Sequence, residues 1–241
     1  MKIAILGYGK MGREIEKIAL ARHHQVVLVV DAFNLQDLTD ENLSRADVVI
    51  DFSTPASAFS NIMACFDASV PVVCGTTGWL GKYEEVKRIC AERSQTFFYA
   101  SNFSLGMNVF FALNKYLAGL MDAMTDYDVT IKEIHHVHKV DAPSGTAITL
   151  ANDLISQLRR KDRWELNQAV DASALKITAV REDEVPGTHI VTYDSDVDTL
   201  EIKHTAKSRK GLAFGAILAA EFVYGKKGVF SMQDLIKCLI S

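Results

Sequence analysis

Short apolar runs alternate with helical patterns through the first hundred residues, and few folds accommodate that alternation. KIAIL (2–6), QVVLVV (25–30), ADVVIDF (46–52), VPVVCG (70–75) and TFFYA (96–100) are β-branched or aromatic and end in turn signals. Runs apolar at consecutive positions suit strands buried on both faces, as in a parallel sheet covered by helices. Helical patterns at about 10–19, 56–68 and 81–93 lie between them, the last an amphipathic GKYEEVKRICAER. The expected fold is α/β, with an N-terminal doubly wound (Rossmann) parallel-sheet domain.

AILGYGKMGREI sets Gly7, Gly9 and Gly12 in a G-x-G-x-x-G frame that follows a strand and opens a helix, the context a dinucleotide fingerprint requires. Gly7 serves the tight turn, Gly9 lets backbone approach a pyrophosphate, and Gly12 permits close packing of helix on strand. The diphosphate then sits on N–H groups at the positive end of the helix dipole. Tyr8, Lys10 and Met11 complete the loop. Asp31 ends the second strand, where an acid accepts hydrogen bonds from an adenosine ribose. Asp31 repels a 2′-phosphate and Lys10 attracts one, so the expected cofactor is NADH or NADPH, with NADH preferred.

DFSTP (51–55) and CGTTG (74–78) end the third and fourth strands. Ligands of open parallel sheets lie across the carboxyl ends of the strands. Phe52, Ser53, Gly75, Thr76 and Thr77 are therefore expected to line the nicotinamide half. Cys74 sits in an apolar run with no histidine in its segment, and reads as a buried thiol. Tyr83 and Lys87 mimic a Y-x-x-x-K catalytic pair, but they lie in a charged helix without the matching glycine pattern.

Past residue 104 the texture changes. An apolar helix pattern (105–124) leads to a strand (127–136), a histidine-rich loop and a second helix (144–160). Three strand patterns follow at 174–182, 188–196 and 198–206, whose short connections suggest antiparallel pairing. A smaller α+β domain is expected over 105–208. The helical ending would pack back on the first domain, giving a dinucleotide-binding domain of 1–104 with 209–241.

Composition closes off several classes. A net charge of −4 offers no global basic field for nucleic acid. No apolar run reaches the roughly 20 residues of a membrane helix, and the N-terminal run is too short for a signal segment. Cys65, Cys74, Cys90 and Cys238 form no CxxC pair, and read as buried thiols in a reducing compartment. A soluble, cytoplasmic chain is expected.

EIHHVHKVDAPSGTA (133–147) gathers three histidines and a lysine beside a helix start. A zinc set of His136 and His138 with His135 or Glu133 is conceivable, but Lys139 would set a positive charge against the ion. Ser144 in APSGTA reads as a helix cap, not as the serine of a nucleophile elbow. Hydrogen-bonded structural histidines would account for one ring more easily than for three. The remaining reading is an anion grip joined to acid catalysis. Lysine gives a fixed positive charge, histidine exchanges a proton near pH 7, and Gly145 and Thr146 offer helix-start amides to a carboxylate. Arg209 in HTAKSRKG is a more distant candidate clamp.

Together, GYGKMG, DFS, CGTTG, SNFSLGMN, EIHHVHKVDAPSGTA, VPGTH, HTAKSR and LAFGA resemble the dihydrodipicolinate reductase family of the lysine and diaminopimelate pathway. The resemblance runs along most of the chain and implies NAD(P)H-dependent reduction of a cyclic dicarboxylate imine, with no metal. It implies that His135 is the catalytic acid and that Lys139 donates a proton and binds substrate. By the same resemblance His136, Gly145 and Thr146 fall among substrate contacts and Ser101, Asn102 and Phe103 join the cofactor-lining positions; Ser144 and the candidate clamp Arg209 are counted with the substrate contacts. It further implies a homotetramer joined through the sheet of the second domain, with a polar-poor outer face on strands 174–206. Hinge closure at 103–107 and 207–212 is expected to bring the loop over the nicotinamide. The chain is short for the family, trimmed between AVRED and VPGTH and again before DTLEIKH. The alternatives are another two-domain NAD(P)-dependent oxidoreductase of a small acid, a non-catalytic NADH-sensing protein, or a zinc hydrolase.

Overall fold

The computed structural model describes residues 1–240. The elements begin β1 (Lys2–Leu6), α1 (Lys10–Ala21), β2 (Gln25–Val30), α2 (Asp40–Leu43), β3 (Val48–Asp51), α3 (Pro55–Asp67), β4 (Val72–Cys74), α4 (Tyr83–Glu92) and β5 (Thr96–Tyr99). Then come α5 (Leu105–Met121), β6 (Asp128–His135), α6 (Gly145–Gln157), β7 (Arg163–Leu166), β8 (Ala174–Arg181), β9 (Thr188–Asp194) and β10 (Thr199–Thr205). The last are α7 (Lys210–Val223), β11 (Gly228–Phe230) and α8 (Met232–Ile240). Two compact units result: residues 1–105 with the stretch from Lys210 onward, and residues 106–209.

In the first unit six parallel strands run in the order β2-β1-β3-β4-β5-β11. Ile3 and Ile5 of β1 face α1 and α7, packing with Ile15, Ala216 and Ala220. Ala4 and Leu6 face the other way, where Ile62 and Phe66 of α3 and Val86 of α4 close a second core. Both faces are covered, which is why these strands are apolar at every position instead of at alternate ones. The C-terminal stretch was expected to be helical throughout, yet Gly228–Phe230 forms a sixth strand on β5. Three residues are too few to show a period. Cys238 departs too: it is exposed, while Cys65, Cys74 and Cys90 are buried.

The second unit is a five-stranded mixed sheet, β10-β9-β6-β8-β7. Antiparallel pairing among the last three strands holds only for β9 with β10. β8 lies parallel to β6 and β7, because the chain returns from α6 through β7 in the direction of β6. β9 takes the other side of β6, antiparallel to it. The β8–β9 link therefore crosses the C-terminal end of β6: Glu182 N–H donates to the His135 carbonyl at 2.8 Å and Val137 N–H to that of Asp183 at 3.1 Å.

Val129, Ile131, Ile177, Val191 and Tyr193 bury one face of this sheet against Phe110 and Met121 of α5 and Leu150 and Leu154 of α6. On the opposite face the register sets Thr130, Lys132 and Ile134 of β6 beside Thr192, Ile190 and Thr188 of β9 and Lys176, Thr178 and Val180 of β8. Threonine and lysine share that surface with the β-branched apolar residues, so the expected polar-poor face is not found. Among the described residues, no helix is long and apolar enough to cross a membrane.

Candidate active site

Leu6 pairs with Val30 and with Asp51, Asp51 with Cys74, and Cys74 with Tyr99. The strands thus end level, and the loops carrying Gly7–Gly12, Asp31, Phe52–Ser53, Gly75–Thr77 and Ser101–Phe103 leave one edge of the sheet. Gly7 has φ of +90°, and a Cβ there would lie 2.3 Å from the Phe52 carbonyl oxygen. A Cβ on Gly12 would lie 2.2 Å from the Gly7 oxygen. Strand, turn and helix interlock only because both positions are glycine. Gly9 caps α1 with no side-chain hydrogen bond, and the space around its missing Cβ is open. The first-turn amides thus face a cradle that fits a pyrophosphate.

The Tyr8 hydroxyl donates to Glu16, Lys10 is exposed, and Met11 packs against the α1–α7 core. Asp31 Oδ1 accepts from Phe33 N–H at 2.8 Å. Phe103 is buried against Phe52 and Phe98, and Asn102 Oδ1 accepts from Ser104 N–H at 2.9 Å. Thr77 and Ser101 are exposed at the rim. The Cys74 thiol is pushed up by burial and by the nearby Asp51 charge, which makes it inert.

Asp51 was missed as a site residue although it opens DFSTP. It is 0% exposed and accepts from Ser53 N–H at 2.9 Å, Thr76 Oγ1 at 3.0 Å and Asn61 Nδ2 at 3.0 Å. Burial pushes its carboxyl up while these hydrogen bonds pull it back. Asp51 ties the 52–55 and 75–78 loops into one piece.

In the second unit, β6 turns Val129 and Ile131 toward the core and continues the same phase with Glu133 and His135, 0% and 7% exposed. Glu133 Oε2 accepts from Ser144 N–H at 3.0 Å and Oε1 from Arg181 Nη2 at 3.1 Å. The carboxylate also lies 3.7 Å from His135 Nδ1 and 3.8 Å from His189 Nε2. The two imidazoles meet edge to face with centroids 5.1 Å apart. Gly187, with φ of +152°, passes so close that a Cβ would sit 3.1 Å from His135 Nε2.

Ser144 caps α6: its Oγ accepts from Ala147 N–H at 3.2 Å and is hydrogen-bonded to His189 Nε2 at 3.2 Å. Its amide and hydroxyl are both engaged. The N–H groups of Gly145 and Thr146 follow in the first helical turn, where no intrahelical acceptor exists. Asp141 grips the Lys139 ammonium with both oxygens, at 2.7 and 2.8 Å. His136 is half-buried, and exposed His138 faces Glu184 at 3.1 Å. Arg209 is exposed and, among the described residues, shares none of the hydrogen bonds of this loop.

Burial pushes the His135 ring below its ordinary value, with Glu133 opposing and Lys139 and Arg181 adding to the shift. Burial, with His135 second, takes His189 down to about 4. The hydrogen bond from Lys139 holds Asp141 below the usual carboxylate range. Glu133, His135 and His189 place three possible ligand atoms within 4.8 Å of one another; this set shares Glu133 and His135 with the zinc set weighed from sequence but holds neither His136 nor His138. Both Glu133 oxygens already accept hydrogen bonds, one of them from a guanidinium cation. Arg181, His189 and Gly187 escaped sequence reasoning because they reach the site through topology. The only clues were the VPGTH motif and an acid on the inward phase of an apolar strand.

A glycine loop at the head of an all-parallel sheet, with a separate mixed-sheet unit, defines a Rossmann-type dinucleotide-dependent oxidoreductase of two units. Residues 1–103 match the family model for dihydrodipicolinate reductase, N-terminus, and residues 106–236 that for the C-terminus. The chain is 50% identical over 241 residues to the 4-hydroxy-tetrahydrodipicolinate reductase of Christiangramia forsetii, covering 99% of each. It is 32% identical over 269 residues to the Neisseria gonorrhoeae enzyme of that name, covering 98% of this chain and 97% of the relative. In fold it matches a dipicolinate-bound dihydrodipicolinate reductase from Paenisporosarcina sp. TG-14 at TM-score 0.78 and 23% identity, over 97% of this chain and 98% of that one. The chain belongs to the dihydrodipicolinate reductase family, whose members are oxidoreductases using NADH or NADPH.

Proposed function

We propose that this chain reduces 4-hydroxy-tetrahydrodipicolinate, a cyclic dicarboxylate imine, to tetrahydrodipicolinate in lysine and diaminopimelate biosynthesis. The supporting observation is one strand–loop–helix segment that gathers His135, His136, Lys139 and the first-turn amides of Gly145 and Thr146. A dianionic ring needs such a seat. Its carboxylates bind Lys139, His136 and the two amides, and Arg209 is a further clamp. Asp141 holds Lys139 and yields it to the substrate. Ser144 contributes by fixing where the helix starts.

When bound, the reduced nicotinamide supplies a hydride. The 4-hydroxyl leaves as water. The conjugated cyclic imine so formed takes up the hydride with its electron pair and then one proton, and His135 and Lys139 are the groups able to give that proton. Burial disfavours the imidazolium of His135. The substrate's two negative charges favour it, so the acid forms as the substrate arrives. Asp31 and the Gly7–Gly12 loop hold the adenosine and diphosphate, and the preferred coenzyme is NADH with NADPH tolerated. The 106–209 sheet joins four chains into a cytoplasmic homotetramer, and light scattering should return a mass of four chains.

His135→Gln and Lys139→Ala should each lower turnover by about 10²-fold or more, the scale of general acid assistance, with NADH affinity near wild type. Wild-type turnover in either variant overturns these roles. Assays on a panel of cyclic imines and oxo acids separate this substrate from that of a related oxidoreductase. Tight NADH binding with no turnover on any of them would point to a sensor.

A further inference from the structure

Glu133 takes no part in the chemistry above, yet a fully buried carboxylate is costly unless its oxygens are hydrogen-bonded. Here each oxygen serves a different end of one loop. Oε2 takes the Ser144 amide at 3.0 Å and so fixes where α6 begins. Oε1 takes Arg181 Nη2 at 3.1 Å. The same guanidinium donates to the Asp141 carbonyl at 2.6 Å and to the Lys139 carbonyl at 3.3 Å.

Resting on the reading of Lys139 and the Gly145–Thr146 amides as the carboxylate seat, we propose that Glu133 and Arg181 are positioning residues that clamp the 136–144 loop. Together they set the spacing between Lys139 and the helix-start amides, so that both carboxylates of one small ring are met at once. The loop has little structure of its own: within it, Lys139 N–H bonds the His136 carbonyl at 3.1 Å. A misplacement of roughly 1 Å can cost about 10²-fold in rate. The clamp also faces His135. The charged and titratable groups around that ring are Glu133 on its own strand, Lys139 and Asp141 on the loop, Arg181 on β8 and His189 on β9. Of these, Glu133 and Asp141 favour the imidazolium and the two cations oppose it.

Glu133→Gln and Arg181→Lys in the full chain, singly and together, test the clamp. Glutamine keeps an acceptor for Ser144 but turns an N–H toward the guanidinium. Lysine keeps the charge but lacks the planar fork that reaches four oxygens. In each single variant KM for the imine should rise about tenfold, the scale of a lost charge-assisted hydrogen bond. The double variant should be no worse than the worse single, because both break one device. The NADH Kd should stay within about twofold, since no Gly-loop contact changes. In Glu133→Gln the alkaline limb of kcat/KM should move to lower pH, as the imidazolium loses its counter-charge.

A wild-type KM in folded Glu133→Gln overturns the clamp; if that variant does not fold, a wild-type KM in Arg181→Lys does so. KM increases that multiply in the double variant overturn it as well. His135→Gln in the same assay keeps the two ideas apart. Wild-type turnover there sinks the functional reading. An inactive His135→Gln beside normal Glu133→Gln and Arg181→Lys sinks the clamp alone.

Discussion

The dinucleotide edge and the histidine–lysine loop are built on opposite principles. The first is a property of backbone: strands that end level at Leu6, Val30, Asp51 and Cys74, and glycines whose missing Cβ atoms let strand and helix touch. The second is a property of side chains drawn from β6, β8, β9 and the α6 cap, converging on Glu133. The glycine turn is local in sequence and fails at single positions. The cluster on Glu133 is assembled from distant strands, graded in its responses, and sensitive to charge and pH.

The harshest challenge to this contrast is Gly12→Val. Its Cβ would sit 2.2 Å from the Gly7 oxygen with no flexible neighbour to yield. NADH binding should fall beyond measurement in a fluorescence titration, with circular dichroism reporting the fold; wild-type binding would break the backbone account. A step below is Asp51→Asn, which keeps one acceptor oxygen but turns an N–H2 donor toward either Asn61 or the Ser53–Thr76 pair. It should cost about 1–3 kcal/mol, the penalty for unpaired buried groups, read by urea unfolding, and raise KM for NADH.

The pH response sharpens the comparison further. His189 titrates at about 4 when folded and at about 6.5 when unfolded. Between those values the unfolded chain binds more protons, so stability falls as pH drops through that window and is fully present above it. His189→Gln should flatten the pH dependence of melting between about 6.5 and 4; an unchanged slope would contradict the assignment. The smallest effect belongs to Asp31→Ser. Relief of like-charge repulsion should raise the NADPH-to-NADH ratio of kcat/KM by about three- to tenfold, and no change would move cofactor choice elsewhere.

What could be read from sequence follows the same division. The glycine frame, the strand ends and the apolar alternation are local patterns, and they placed the parallel sheet and the loops at its carboxyl edge. The short β11 and β7 carry too few residues to show a period. The β8–β9 adjacency suggested by a short connection failed because β6 inserts between them, and that insertion is what brings Gly187 and His189 to His135. Glu133 was visible only as an acid in an apolar strand phase. Its partners Arg181 and Ser144 are 48 and 11 positions away, distances at which one sequence carries no pairing signal.

A ternary crystal structure with a nicotinamide coenzyme and a pyridine dicarboxylate tests the central claim most directly. One carboxylate should replace Asp141 on Lys139 Nζ, the other should rest on the Gly145 and Thr146 amides, and the ring should lie between His135 and the nicotinamide. A loop turned away from the coenzyme, or one with Lys139 still held by Asp141 beside a bound dicarboxylate, would contradict it.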